Sequence, residues 1–131
     1  LRFRSEEIYQ FLLEASRKYF FDLEDAIAVG YSNGANIIGS LLYLKGKVFS
    51  AAILHHPMVP LRNEKLKDLA GLNIFIGAGK NDPITPMSEA EDLEKHLREA
   101  NASVYVHWEN KGHQLTLSEV EAAREWLLKK V

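Results

Sequence analysis

Cysteine is absent from the 131 residues, proline occurs four times, and the longest apolar stretches, such as Ala51–Leu54, are no longer than a β-strand. Each shortage excludes something. Without cysteine there is neither a disulfide framework nor a thiolate metal site, so nothing demands an oxidising compartment, and a cytoplasmic location is the expectation. A membrane span needs roughly 20 consecutive apolar residues, far more than any run here. A cationic start followed by an apolar stretch and a small-residue cleavage site, the mark of a secretion signal, is not visible. An excess of one charge is missing too. Sixteen Lys and Arg stand against 18 Asp and Glu, for a net charge of −2, and they are spread along the chain. The basic stripe that phosphate backbones require is therefore lacking, and nucleic acid is not an expected partner. A chain of this length fits one domain and buries roughly two thirds of its unfolded surface.

What is present alternates. Ser5 is placed to cap a helix over about 5–19, in which Ile8, Leu12, Ala15 and Tyr19 recur at helical spacing. Ala26–Tyr31 lacks polar alternation and reads as a strand of a parallel sheet covered on both faces. Asn33 to Leu44 reads as a buried helix ending near Gly46, and Val48–His55 as a second strand closed by Pro57 and Pro60. A single helical turn is expected at 64–70, followed by a third strand at Asn73–Ala78. Thr85-Pro86 looks like a capping hydroxyl with proline in the first helical turn, ahead of a face formed by Met87, Ala90, Leu93, Leu97 and Ala100. Ser103–Trp108 is the fourth strand. Thr116 and Glu119 then form a capping box for a last helix carrying Val120, Ala123, Leu127 and Val131. Strand and helix in strict succession predict an α/β fold, a parallel sheet between two helical layers.

The chemistry begins at "GYSNGA", Gly30–Ala35, where the first strand meets a helix. Gly-x-Ser-x-Gly in that setting is the nucleophile elbow, a turn so tight that side chains two positions either way would collide with backbone. It would present Ser32 at its tip. A serine hydroxyl needs a base to take its proton, and that base needs an acid to hold its tautomer. In open parallel sheets such groups gather beyond the carboxyl ends of the strands. Asp82 lies in the loop after the third strand and His113 in the loop after the fourth. Ser, Asp, His is the chain order of α/β-hydrolase triads.

Other candidates are weaker. Glu109, also at a strand end, is the second choice for the acid. Of the adjacent His55 and His56, one is expected to line the pocket and the other to be packed or solvated; with Tyr31 and Met58 they make up the expected substrate-binding set. His96, on the polar side of a helix, and His107, within a strand, have no metal-ligand spacing, so no metal is expected. "GAGKND" would need glycine at Ile74 and Ser or Thr at Asn81 to be a phosphate loop. The run Glu89, Glu91, Asp92, Glu94 reads as a solvated helix face.

Taken together, "AVGYSNGAN", "LHHPMVP", "NDP" and "HWENKGHQLT" resemble the phospholipase/carboxylesterase family of small bacterial α/β-hydrolase serine esterases, and within it the hydrolases linked to hydroquinone resistance. The resemblance runs along nearly all of the chain. It implies Ser32 as nucleophile, Asp82 as acid, His113 as base and the Asn33 backbone N–H as one oxyanion donor, with no metal or organic cofactor. It also implies a single domain, 1–131, corresponding to the carboxyl-terminal part of the fold, strands five to eight. The earlier strands, and a His-Gly loop that carries the second oxyanion donor, have no counterpart here. The expected substrate is a small or single-chain ester; the alternatives are a thioester or lysophospholipid cleaved by the same triad, and a binding module or inactive fragment. Ala26–Tyr31 is then an edge strand, expected to be covered by a second copy, by residues upstream of this sequence or by aggregation.

Overall fold

A computed structural model describes residues 1–130; Val131, assigned above to the last helix, lies outside the described residues. The elements are α1 (Arg2–Lys18), a short 3-10 turn (Leu23–Asp25), β1 (Ile27–Tyr31), α2 (Asn33–Lys45), β2 (Ala51–His55), β3 (Asn73–Gly79), α3 (Met87–Glu99), β4 (Ser103–Glu109) and α4 (Leu117–Lys130). All strands are parallel and lie in the order β1-β2-β3-β4. This is the parallel α/β arrangement that the alternation predicts.

Two hydrophobic layers sandwich the sheet. The larger joins α2 and α3 to one face through Leu41, Leu42, Leu54, Ile74, Ile76, Leu93 and Leu97, with Ile8 and Leu12 of α1 packed against it. The smaller lies under α4 and consists of Ala51, Ile53, Phe75, Ala123 and Trp126. Phe75 is its centre, fully buried between Trp126 at 5.7 Å and Tyr105 at 5.8 Å. Burying such a ring contributes about 1.5–3 kcal/mol, which anchors α4 to β3. All five residues of β2 are buried, as a central strand requires.

Several local expectations give way to tertiary contacts. Ser5 is not a cap but an interior residue of α1, its hydroxyl bonded at 2.7 Å to that of Ser40 on α2. No helical turn forms at 64–70; the segment is held by Leu69 N–H donating to Ala100 O at 2.7 Å. Pro86, not Thr85, precedes α3, and no side chain caps that helix. Glu89 is not simply solvated: it accepts from Val59 N–H at 3.0 Å and pairs with Arg62, tying down the connection after β2. β1 is covered on one face only. Ile27, Val29 and Tyr31 are exposed, Val29 by 62%, because α4 lies over β3 and β4 and does not reach that side.

On α4 the inward stripe is Glu119, Ala123 and Trp126, one position away from the Val120-based face expected from hydrophobicity. Val120 is 41% exposed, whereas the carboxylate of Glu119 is fully buried. Among the described residues, no helix is long and apolar enough to cross a membrane.

Candidate active site

The backbone at the carboxyl ends of the strands is locked by bonds that continue the ladders beyond the strands themselves. Ser32 N–H donates to His55 O at 2.8 Å, His56 N–H to Gly77 O at 2.7 Å, and Lys80 N–H to Glu109 O at 2.8 Å. Four loops are thereby drawn to one rim.

Ser32 sits at φ 55° and ψ −112°, a conformation that costs a non-glycine residue of order 1–3 kcal/mol and is typical of a nucleophile elbow. Gly30 permits it, because a Cβ there would stand 2.6 Å from the carbonyl carbon of Gly34. Gly34 itself is under no such constraint; a Cβ on it meets nothing within 4 Å. Only the first of the two glycines is therefore enforced by contacts within this chain. Asn33 opens α2, so its N–H belongs to the helical first turn, where no intrahelical acceptor exists.

Ser32 Oγ lies 2.8 Å from His113 Nε2, and His113 Nδ1 lies 2.6 Å from Asp82 Oδ2. An ionised carboxylate only accepts, so His113 donates from Nδ1 and its Nε2 is free to accept from the serine hydroxyl. The other oxygen of Asp82, Oδ1, accepts from the N–H groups of Ile84 at 2.8 Å and Thr85 at 2.9 Å. One side chain thus makes the turn that its Asn-Asp-Pro context suggests and also faces the imidazole. Tyr31 donates its hydroxyl to His113 O at 2.6 Å, holding the loop that presents the ring. Burial works against ionisation of Asp82, but bonds from Thr85, His113, Ile84 and His56 outweigh it and hold the carboxyl below its ordinary range.

The remaining candidates are distributed differently from expectation. Glu109 does not approach His113; Thr116, Ser118 and His107 all bond to it. Its carboxyl is held down to about 2, chiefly by the hydroxyls of Ser118 and Thr116. His96 bonds to Tyr43 on the far side of α2. Met58 is partly exposed beside a hollow lined by Asn33, Asn36, Ile37 and Pro60, next to Ser32. His55 and His56 do not divide into a pocket residue and a packed one. Both are buried, at 3% and 2% exposure, and both bond to Glu119.

Glu119 is the residue that sequence reasoning misplaced. Its backbone N–H does donate to Thr116 Oγ1 at 3.2 Å, as half of a capping box. Its carboxylate, however, turns inward over β3, where a Cβ on Gly77 would come within 2.3 Å of Oε2. The glycines of "GAG" thus serve close approach: Gly77 admits Glu119, and Gly79 admits the carbonyls of Lys111 and Gly112 just ahead of His113. The available signal was spacing. Glu119 stands four and seven residues before Ala123 and Trp126, on the helix's inward line.

His56, Asp82 and His113 also have ligand-type atoms within 4.8 Å of one another. Those atoms are already directed along hydrogen bonds between imidazole and carboxylate, a pattern suited to proton transfer. Among the described residues no buried side-chain nitrogen or oxygen lacks a partner.

Comparison with known proteins agrees with this architecture. The chain is 52% identical to the Bacillus subtilis (strain 168) protein called "Putative hydrolase MhqD", over 94% of its own length and 62% of that protein. It superimposes on the crystal structure of the Bacillus cereus carboxylesterase with a TM-score of 0.96 at 52% identity, covering 98% of this chain and 61% of that one. A carboxylesterase from Mesorhizobium loti gives a TM-score of 0.87 at 31% identity, covering 95% and 59%. The chain therefore spans about three fifths of the length of these relatives. Residues 12–125 match the family described as "Dienelactone hydrolase family", and the chain belongs to that family of hydrolases.

Proposed function

We propose that this chain carries the nucleophile, base and acid of a serine carboxylesterase that works through an acyl-enzyme. His113, oriented by Asp82, takes the proton of Ser32 as its oxygen attacks the ester carbonyl, and the Asn33 N–H donates a hydrogen bond to the developing oxyanion. His113 then protonates the departing alcohol and activates the water that releases the acid. The observation that carries the reading is the unbroken line from Ser32 through His113 to Asp82, with links of 2.8 and 2.6 Å and the serine in a strained elbow. No step in this scheme calls on a metal or an organic cofactor.

The connection from Pro57 to Leu72 contains no helix or strand that could form a cap, which supports an open site for small or single-chain esters. Tyr31 and Met58 are the residues of the expected substrate-binding set that remain partly exposed there. Thioester and lysophospholipid cleavage would use the same three side chains.

A second proposal follows from the length relation to the relatives and the bare flank of β1. Residues outside this sequence, or a second copy, cover Ile27 and Val29, and an early loop supplies the second oxyanion N–H. Without that donor, turnover is expected to fall by about 100- to 1000-fold.

Fluorophosphonate labelling of the full polypeptide carrying this sequence tests the first proposal. A single adduct on Ser32, abolished in Ser32→Ala and unaffected by a metal chelator, is expected. An adduct that survives in Ser32→Ala would reject the assignment.

A further inference from the structure

Behind Asp82 the hydrogen-bonded line does not stop. His56 Nδ1 lies 3.1 Å from Asp82 Oδ2, and His56 Nε2 lies 2.7 Å from Glu119 Oε1. Glu119 Oε2 in turn accepts from His55 Nδ1. An imidazole placed between two ionised carboxylates has to donate from both nitrogens, and only the imidazolium does so. The alternative is a neutral ring facing one protonated acid. The surroundings oppose it: Asp82 takes bonds from Ile84, Thr85 and His113, and Glu119 takes a second bond from His55. Donors of that number favour the ionised form of each carboxyl.

The groups facing the His56 ring come from every neighbouring element. Tyr31 of β1 meets it edge-on at 5.8 Å, and His113 stands 5.3 Å away between ring centres. Asp82 approaches from the loop after β3, Glu119 from α4, and His55 lies beside it at the end of β2. Burial disfavours a charge on His56, yet the bonds and charges of Glu119 and then Asp82 prevail and raise its proton affinity. Glu119 is likewise disfavoured by burial and held ionised by His55 and His56.

The oxygen that His56 grips is the one to which His113 donates. A cation there would orient Asp82 but would also cancel its charge, leaving nothing to stabilise the imidazolium that forms on His113. Glu119 removes that conflict, since two carboxylates against one imidazolium leave one negative charge opposite His113. We propose that His56, kept doubly protonated by Glu119, is a positioning residue that fixes the Asp82 oxygen serving His113. The role assigned to Asp82 and His113 rests on the esterase reading above; the protonation state of His56 does not.

The test has two arms on the full polypeptide carrying this sequence. Nitrogen-15 NMR of the histidine rings should show His56 with protons on both nitrogens at pH 7, and Glu119→Gln should remove the second one. A neutral His56 ring at pH 7 overturns the proposal, and this arm stands even if the variants do not fold. In the second arm, His56→Gln should slow Ser32 labelling at its pH optimum by about tenfold or more, the value of a hydrogen bond to a charged group. The acidic limb of the pH profile should also move upward, because a cation 5.3 Å from the His113 ring has been removed. A folded His56→Gln with an unchanged rate and profile overturns the proposal. Labelling that survives Ser32→Ala would instead refute the esterase reading, with the NMR result unaffected.

Discussion

Two regions on opposite sides of β1 are built from opposite materials. At its carboxyl end, Ser32, His55, His56, Asp82, His113 and Glu119 form a polar cluster in which every buried atom has a partner. Along its free flank, Ile27 and Val29 stand in solvent, accompanied by the exposed Phe20 and Phe21 just before the strand. Among the described residues every buried side-chain nitrogen and oxygen is partnered, while part of the apolar surface stays uncovered. An unpaired polar group inside a protein costs too much to leave open, whereas exposed apolar side chains are tolerated until a partner covers them. The cluster is thus self-contained in geometry, and the flank is where apolar surface stays exposed.

The sharpest way to break the polar side of this contrast is Asp82→Asn. It keeps the shape but removes the charge and permits the wrong His113 tautomer, so ester turnover and Ser32 labelling should fall by about 10³- to 10⁴-fold with the fold retained. A loss below tenfold would show that Asp82 is only a turn residue.

Next in size is the glycine pair of the elbow. Gly30→Ala puts a methyl group against the Gly34 backbone at 2.6 Å and should destabilise by about 2–4 kcal/mol in thermal or denaturant unfolding. Gly34→Ala, with open space around it, should be neutral or stabilising by up to about 1 kcal/mol from helix propensity. Equal losses at the two positions would contradict the asymmetry.

Acid separates the regions further. Asp82, Glu119 and Glu109 all have lowered proton affinity in the fold. Their stabilisation is complete above the ordinary carboxyl range and is lost as pH falls through their depressed values, down to about 2 for Glu109. His56, shifted upward, acts in the other direction: its contribution is full below the ordinary histidine range and declines as pH rises through the raised value. Denaturant midpoints should therefore drop on both sides of a maximum between those limits. In Glu119→Gln the alkaline decline should be weakened; an unaltered alkaline limb would disconnect Glu119 from His56.

The smallest effect is expected on the apolar side. Val29→Lys should change unfolding free energy by no more than about 0.5 kcal/mol, since the side chain is already solvated, yet it should reduce self-association in size-exclusion chromatography. Destabilisation by several kcal/mol in this chain would mean that the flank is covered after all.

Much of this was legible in one dimension because it rests on local sterics. The elbow around Ser32, the alternation of strands and helices, and the order Ser32, Asp82, His113 depend on neighbours a few residues apart or on where strands end. What was illegible involved residues whose polarity hides their burial. Glu119 reads as half of a capping box with Thr116, and a face drawn through Val120 and Leu127 instead lies one position from the true inward line of α4. Ser5 and Thr85 resembled caps, yet their backbone or hydroxyl groups are used by Ser40 and Asp82. Of His55 and His56, one reads as a pocket residue and the other as packed or solvated, yet Glu119 turns inward and bonds to both.

By itself, then, the order of residues determined the fold class, the tight turn that strains Ser32 and the loops that could meet at one rim. Only the packed molecule decided which polar side chains face one another, that β1 is bare on one side, and that Glu119 lies under the histidines. The reason is physical: a turn is set by atoms adjacent in the chain, but burial and pairing are set by elements that adjacency does not reveal.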